Sequence, residues 1–359
     1  MTTRQKLTRA FLWVPAKLYE LGVRLRVAAY ETDYLKQKKL SATVISVGNI
    51  TLGGAGKTPM VHYIARYLAS EDHAVAILTR GYGRKSSGLR ILNDPTKQSA
   101  TNDVQSYEEF GDEPLMLARS LVEIPVIINN DRYEAGRFAE EKFGSRVLVL
   151  DDAYQHLSLA RDLNILLIDA TDTFGGFEMP PFGRLREPLY GLTRADAVIV
   201  TRADREFDEG QTVATLRQYC GNNVAVMYFY SGITALRHLA TGESYEVSNF
   251  AGWNVAVMCG VGNPQAFSDD LLRVGINIVV EDFFRDHYAF SQSDLDHVTR
   301  AAKETSADAI LTTEKDAIRL EGLAQGDIPI YAAQLEIQSD DEVKLKSLLL
   351  RTVTAKKQK

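Results

Sequence analysis

Cysteine is scarce: the 359 residues hold two, Cys220 and Cys259, far apart and outside any paired spacing. That excludes a disulfide scaffold and the clustered thiolates of a zinc site, and fits a reducing, cytosolic compartment. No run of eighteen apolar residues occurs, so no conventional membrane-spanning helix is expected. The N-terminal stretch also lacks the unbroken apolar core and small-residue cleavage site of a secretory signal. Internal repeats and low-complexity segments are absent. What remains, 45% hydrophobic and 25% charged, is the composition of a globular protein long enough for two domains.

Acidic residues are few at the start of the chain. Residues 1–40 carry nine Lys/Arg against three acids, a balance of +6 in a chain whose net charge is −6, which leaves −12 for the rest. A basic arm on an acidic body calls for an anionic partner surface, membrane or nucleic acid. Within the arm Phe11, Val14, Leu18, Leu21, Leu25 and Ala28 repeat at three and four, with Trp13 and Tyr19 among them and Lys17, Arg24 and Arg26 interrupting. This is one face of a helix. It could lie on anionic lipid or pack on its own domain, because both give the same periodicity.

From about residue 43 to 205, short apolar runs (Val44–Val47, Ala74–Leu78, Val126–Ile128, Val147–Leu150, Ile165–Ile168, Ala197–Val200) alternate with helical stretches. Runs of β-branched residues and leucine are strands buried on both faces, and their alternation with helices predicts a doubly wound, mostly parallel α/β sheet. Between about 223 and 250 the pattern becomes extended around Thr241-Gly242, as a β-ribbon would, and a second, smaller α/β stretch follows. The expected division is a basic N-terminal helix region over 1–40, a P-loop core over 41–222, the ribbon over 223–250, the second domain over 251–350 and a frayed tail over 351–359.

The strongest signal is "VGNITLGGAGKTP", directly after the first apolar run. The P-loop pattern G-x-x-x-x-G-K-[ST] cups phosphates with backbone N–H groups while its lysine reaches the β and γ phosphates and its hydroxyl meets Mg²⁺. Thr51 stands where the first glycine belongs, and Gly56-Lys57-Thr58 fits. Residues Thr51, Leu52, Gly53, Gly54, Ala55, Gly56, Lys57 and Thr58 are therefore the candidate nucleotide loop. A P-loop nucleotide needs a metal-orienting carboxylate at the end of another buried strand, and "RVLVLDDAYQH" supplies Asp151-Asp152, with Gln155 and His156 beyond. "FGDEPLMLARSL" places Asp112 at a helix start, where a plain N-cap is the competing reading. Arg80, Arg84, Arg186 and Glu187 fall near strand ends or loops, and His287 in a loop ahead of the capping box Ser291–Asp294. Taken one at a time, each of these is as consistent with a solvated or structural side chain.

In order along the chain, "GNITLGGAGKTP", "RGYGR", "GDEP", "LDDAYQH", "LREP", "CGVGNP", "RDHYAFS" and "TTEKDAIRL" resemble the motifs of the tetraacyldisaccharide 4'-kinase family over roughly residues 10–320. The resemblance implies transfer of the ATP γ-phosphate to the 4'-hydroxyl of an acylated glucosamine disaccharide 1-phosphate. It implies two α/β/α domains with the site between them, and a monomer resting on the cytoplasmic face of the bacterial inner membrane, with the N-terminal helix as anchor and no nucleic-acid partner. Carried over by position, Lys57 contacts the phosphates, and Thr58 and Asp151 hold Mg²⁺. Asp152 and Glu187 complete the charge network around the metal, and Arg186 neutralises the transferring group. Asp112 and His287 form a base pair, one from each domain, and Arg80, Arg84 and Arg132 are further contacts.

Two rival readings stand beside this one. "GGAGKT" also resembles the P-loop of the ArsA and MinD class of ATPase switches, but Leu52 replaces that class's lysine. "VTRAD" after a strand is similar to a guanine-reading N-K-x-D, with Thr and Arg where Asn and Lys belong.

Overall fold

The computed structural model describes residues 3–96, 106–324 and 326–357, and for residues 3–11 the backbone only. The chain divides into two compact units. The first comprises Met1–Arg80, Asn129–Tyr230 and Ser339–Lys359, the second Gly81–Ile128 and Ser231–Gln338. Strands β1 (Thr43–Asn49) and β2 (Val75–Thr79) belong to the first unit, β3 (Arg90–Leu92) and β4 (Val126–Ile128) to the second. The chain then returns to the first unit for β5 (Val147–Asp151), β6 (Leu163–Asp169), β7 (Ala197–Thr201) and β8 (Ala225–Tyr228). The second unit takes β9 (Tyr230–His238), β10 (Ser244–Glu246), β11 (Asn254–Cys259), β12 (Asn277–Phe283), β13 (Ala309–Thr313) and β14 (Ile330–Gln338).

In the first unit, six strands run in the order β2–β5–β1–β6–β7–β8, every neighbouring pair parallel. Val, Ile and Leu fill both faces, and β1, β5 and β6 are buried along their whole length, as the apolar runs predict. β1 lies between β5 and β6 with Val47 opposite Asp151, so its end at Asn49 opens beside the end of β5. Ligands bind at such strand ends, where successive connections leave in opposite directions. The helix Lys57–Ser70 follows the loop after β1 and buries Met60, Val61, Ile64, Ala65 and Leu68.

The second unit has a six-stranded sheet in the order β10–β9–β14–β13–β11–β12. Its central pairs are parallel, and β9–β10 is an antiparallel hairpin around the turn at Gly242. It also holds the antiparallel pair β3–β4 and the helix Asp112–Ser120.

Three boundaries differ from the sequence expectation. Residues 81–128 leave the first unit, although their apolar runs continue its pattern, because helix Asp112–Ser120 is tied to residues near 320: Asp112 pairs with Arg319 and Arg119 with Glu321. The extended stretch 223–250 supplies both sheets, since β8 pairs with β7 while β9 and β10 form the hairpin of the second. Residues 351–357 of the supposed frayed tail belong to the helix Glu342–Lys357, which returns to the first unit and buries Leu345, Leu349 and Val353, while 358–359 lie outside the described residues. Lys356 is ion-paired with Asp162, and Tyr63 donates to Glu342 at 2.5 Å.

The N-terminal helix Thr3–Glu31 turns Ala16, Val23 and Val27 inward, with Val23 against the cluster of Ile50, Tyr154, Leu166 and Phe174. Of the predicted apolar stripe, Val14, Leu18, Leu21 and Leu25 are each half or more exposed, as are Trp13 and Tyr19; Ala28 is exposed too, and the Phe11 side chain lies outside the described residues. The stripe is therefore not the face that packs on the first unit. Among the described residues no helix is long and apolar enough to cross a membrane.

Candidate functional site

The loop after β1 is shaped by glycine where the backbone demands it. Gly56, immediately before helix Lys57–Ser70, has φ 74°, a left-handed conformation that side chains resist. The loop is held from two sides. Segment 184–186 runs against it: Leu52 N–H donates to the Arg184 carbonyl at 2.6 Å, Arg186 N–H to the Ile50 carbonyl at 2.7 Å, and Thr51 bridges Leu185. That pairing carries Arg186 to the phosphate loop across more than 130 residues of sequence. From β7, the Thr201 hydroxyl donates to the Ala55 carbonyl at 3.2 Å, and Arg202 donates to the Gly54 carbonyl at 3.0 Å while pairing with Asp169.

Lys57 Nζ donates to Asn49 Oδ1 at 3.3 Å and lies 3.8 Å from Asp152. Asp152 accepts from Arg186 Nη1 through both oxygens, at 2.8 and 2.9 Å. Burial works to raise the Asp152 carboxyl, but Lys57 and Arg186 outweigh it and hold it below its usual range. Arg186 Nε is buried without a hydrogen-bond partner among the described residues, leaving that donor to an anion. Thr58 and Asp151 are both buried, and Asp151 Oδ2 accepts from Thr79 at 3.2 Å. A hydroxyl and a carboxylate at a phosphate loop are the hard oxygen donors that Mg²⁺ prefers.

Glu187 does not fit the metal role expected of it. It is 2% exposed, and both its oxygens are taken, one by Gln155 Nε2 at 2.9 Å and the other by Arg194 Nη2 at 2.6 Å. Gly191 has no room for a side chain because a Cβ there would sit 2.4 Å from Glu187 Oε2. Gln155 also donates to the Asn49 carbonyl at 2.8 Å, and Asn49 Nδ2 donates to the Thr51 carbonyl at 2.9 Å. A buried chain thus runs from Arg194 through Glu187, Gln155 and Asn49 to Lys57, and Glu187 anchors the loop's lysine rather than a cation. Asp152, paired with Arg186 and 3.8 Å from Lys57, belongs to the charge network at the phosphate loop. Asn49 and Gln155 stood inside the quoted motifs, but nothing local marked Arg194, Thr201 or Arg202 as their neighbours.

Asp112 and His287 meet in the second unit, not one from each domain. The helix N-cap is Gly111, so Asp112 is not the cap the local pattern offered. Asp112 Oδ1 accepts from Glu113 N–H at 2.9 Å, and Oδ2 lies 3.2 Å from His287 Nδ1 and pairs with Arg319 Nη2. Burial works to raise the Asp112 carboxyl, but the hydrogen bond to His287 and the charges of Lys315 and Arg319 leave it lowered. His287 is held at φ 59°, and Asp152 and Arg202 also have positive φ. Non-glycine residues seldom adopt this region, and it recurs at functional sites.

Of the remaining candidates, Arg132 is buried with its guanidinium on the Asn129 and Asn130 carbonyls, and its charge also favours the ionised Asp152. Arg84 donates to the Gly88 carbonyl at 2.8 Å, and Arg80 is exposed at the end of β2.

A doubly wound parallel sheet with a phosphate loop after its central strand and a buried carboxylate at the end of the neighbouring strand defines a P-loop nucleotide-binding protein. The comparisons narrow the class. The family described as tetraacyldisaccharide-1-P 4'-kinase matches residues 8–354, and the chain belongs to that family. A tetraacyldisaccharide 4'-kinase of Geobacter sulfurreducens is 37% identical over 345 residues, 96% of this chain and 93% of the relative. One from Halothermothrix orenii is 33% identical over 361 residues, 96% of this chain and 92% of the relative. The crystal structure of LpxK from Aquifex aeolicus in complex with ATP is similar at a TM-score of 0.75 and 32% identity, over 96% of this chain and 99% of that one.

Proposed function

We propose that this chain is an ATP-dependent kinase that transfers the γ-phosphate to the 4'-hydroxyl of a tetraacyldisaccharide 1-phosphate, forming a lipid A precursor. Family membership together with an intact phosphate loop carries the reading: Lys57 is already held on Asn49, 3.8 Å from Asp152. Backbone N–H groups of Gly53 to Thr58 and the Lys57 ammonium bind the phosphates. Thr58 and Asp151 would hold Mg²⁺, which when bound neutralises charge on the β and γ oxygens. Arg186, steered by Asp152, meets charge developing on the transferring group, a task its fixed fork of donors suits. His287, oriented by Asp112, accepts the proton of the acceptor hydroxyl.

The exposed stripe of Val14, Leu18, Leu21 and Leu25, flanked by Lys17 and Arg24, supports a peripheral seat on an anionic bilayer, at the cytoplasmic face of the inner membrane. A substrate with four acyl chains stays in the bilayer, so the enzyme comes to it, as a monomer. The deciding assay incubates the protein with γ-labelled ATP, Mg²⁺ and tetraacyldisaccharide 1-phosphate in detergent. Label should appear in the lipid; label found only as free phosphate would favour an ATPase switch.

A further inference from the structure

The segment "TTEKDAIRL" is unused by the reading above, although it stands beside the histidine that the reading needs. Thr313 caps the short helix Glu314–Leu320, accepting from Asp316 N–H, and Asp316 is buried, accepting from Gly260 N–H at 2.9 Å and from the Thr313 hydroxyl at 2.8 Å. This pins the helix by its first turn. Lys315 and Arg319, four residues apart on one helix face, both reach His287. Arg319 Nη2 lies 2.7 Å from Nδ1, and Lys315 Nζ lies 3.2 Å from Nε2.

The partners of the ring divide. Lysine and arginine have no acceptor, so Lys315 at Nε2 calls for the lone pair there and a proton on Nδ1, and Asp112 Oδ2, an acceptor, calls for the same. Arg319 Nη2 beside Nδ1 calls for the opposite tautomer, but that group already donates to Asp112 Oδ2. Lys315 is itself held by acids: Asp286 at 2.9 Å and Glu113 at 3.6 Å. Burial opposes its charge, but Glu113, Asp112 and Asp286 outweigh burial and keep it an ammonium beyond the ordinary lysine range.

The charged groups around the imidazole are therefore Asp112 and Glu113 from one helix, and Lys315, Asp316 and Arg319 from another. Its own loop adds Asp286, 3.9 Å from Nε2, and the Tyr82 ring lies tilted against it at 5.1 Å between centroids. Of these, Lys315 is the group that occupies the lone pair a general base would use.

We propose that Lys315 is a positioning residue for His287: with Asp112 it fixes the Nδ1–H tautomer, and it holds the Nε2 lone pair until an acceptor hydroxyl takes its place. The proposal rests on the reading of His287 as the base, and deepens it. When the hydroxyl arrives, Lys315 stays on Asp286 and Glu113, and the freed Nε2 lone pair faces the hydroxyl proton.

The test is NMR of the full-length protein with ¹⁵N-labelled histidine, the His287 signals identified by their loss in His287→Gln. In the unaltered protein the ring shifts should report the Nδ1–H tautomer; an Nε2–H tautomer overturns the proposal whatever the variants do. In Lys315→Met and Lys315→Gln the ring pKa should rise by about one unit or more, as loss of a neighbouring like charge requires, and Lys315→Arg should restore it. A ring pKa that stays or falls in a folded variant overturns it as well. The acid limb of the kcat/KM profile separates the two readings. If it moves with the ring pKa, His287 is the base; if the ring pKa rises while the limb stays, the base reading fails and the hold of Lys315 on the ring stands.

Discussion

At the residue scale, roles follow from what each charge is already bound to. Lys57 is lightly held, by the Asn49 side-chain oxygen at 3.3 Å, the Gly53 carbonyl at 3.5 Å and a carboxylate at 3.8 Å, and so can turn to a phosphate. Lys57→Ala should lower phosphoryl transfer by about 10²–10³-fold, as loss of one preorganised charge contact does, with the melting temperature unchanged. Near-normal transfer rates would refute its role. Asp112 is the opposite case, because it is buried against Arg319, which is 4% exposed. Asp112→Asn should therefore lose turnover and also about 3 kcal/mol of stability, since a buried guanidinium loses its nearer counter-ion and keeps only Asp316 at 3.9 Å. Calorimetry beside a turnover assay measures both. The pH dependence has a definite sign. The folded-state carboxyl is lowered, so its contribution is complete above the ordinary carboxylate pKa and is lost as pH falls through the lowered value. Asp112→Asn should narrow the stability gap from the unaltered protein as the solution is acidified; a gap constant with pH would contradict the ion-pair account.

At the scale of elements, the N-terminal helix separates two functions onto two faces. Ala16, Val23 and Val27 secure it, while Leu18, Leu21 and Leu25 are exposed. Replacing those three leucines with glutamate should leave the melting temperature unchanged and abolish sedimentation with anionic vesicles, through lost apolar insertion and added repulsion. Binding by the unaltered helix should weaken with salt, because screening removes the headgroup attraction. The variant should act poorly on lipid in vesicles and less poorly on detergent-dispersed lipid. Vesicle binding unchanged by the substitutions would place the attachment elsewhere. The segment 184–186 shows the same economy, since one antiparallel bridge both closes the phosphate loop and delivers Arg186 to it.

At the scale of the whole chain, the first unit is assembled from three separated stretches, closed by helix Glu342–Lys357. Leu345, Leu349 and Val353 are buried there, each fully buried aliphatic side chain stabilising by about 1.5–3 kcal/mol. Leu349→Ala should cost about 2–5 kcal/mol, read as a lower urea midpoint with an unchanged slope. Losses within a few tenths of a kcal/mol would mean the helix is dispensable to the fold.

The amino-acid sequence alone determined what depends on near neighbours. The apolar runs specified buried parallel strands, Gly56-Lys57-Thr58 specified a phosphate loop, and the end of β5 specified where a carboxylate meets it, because strand periodicity and glycine backbone freedom act over a few residues. The pairing of Asp112 with His287 came from the ordered motifs and family resemblance; locally, one looked like a cap and the other like a loop histidine. Only tertiary structure decided which charges neutralise which. Glu187 became an anchor for Arg194 and Gln155, Arg132 sank onto backbone carbonyls, and Lys315 and Arg319 closed around His287. It also decided that residues 81–128 leave the first unit and residues 342–357 return to it. A hydrophobic pattern specifies that a face must be buried but not against what. Partners more than a hundred residues apart are chosen by how the elements pack, and a carboxylate's role follows from the partner it finds.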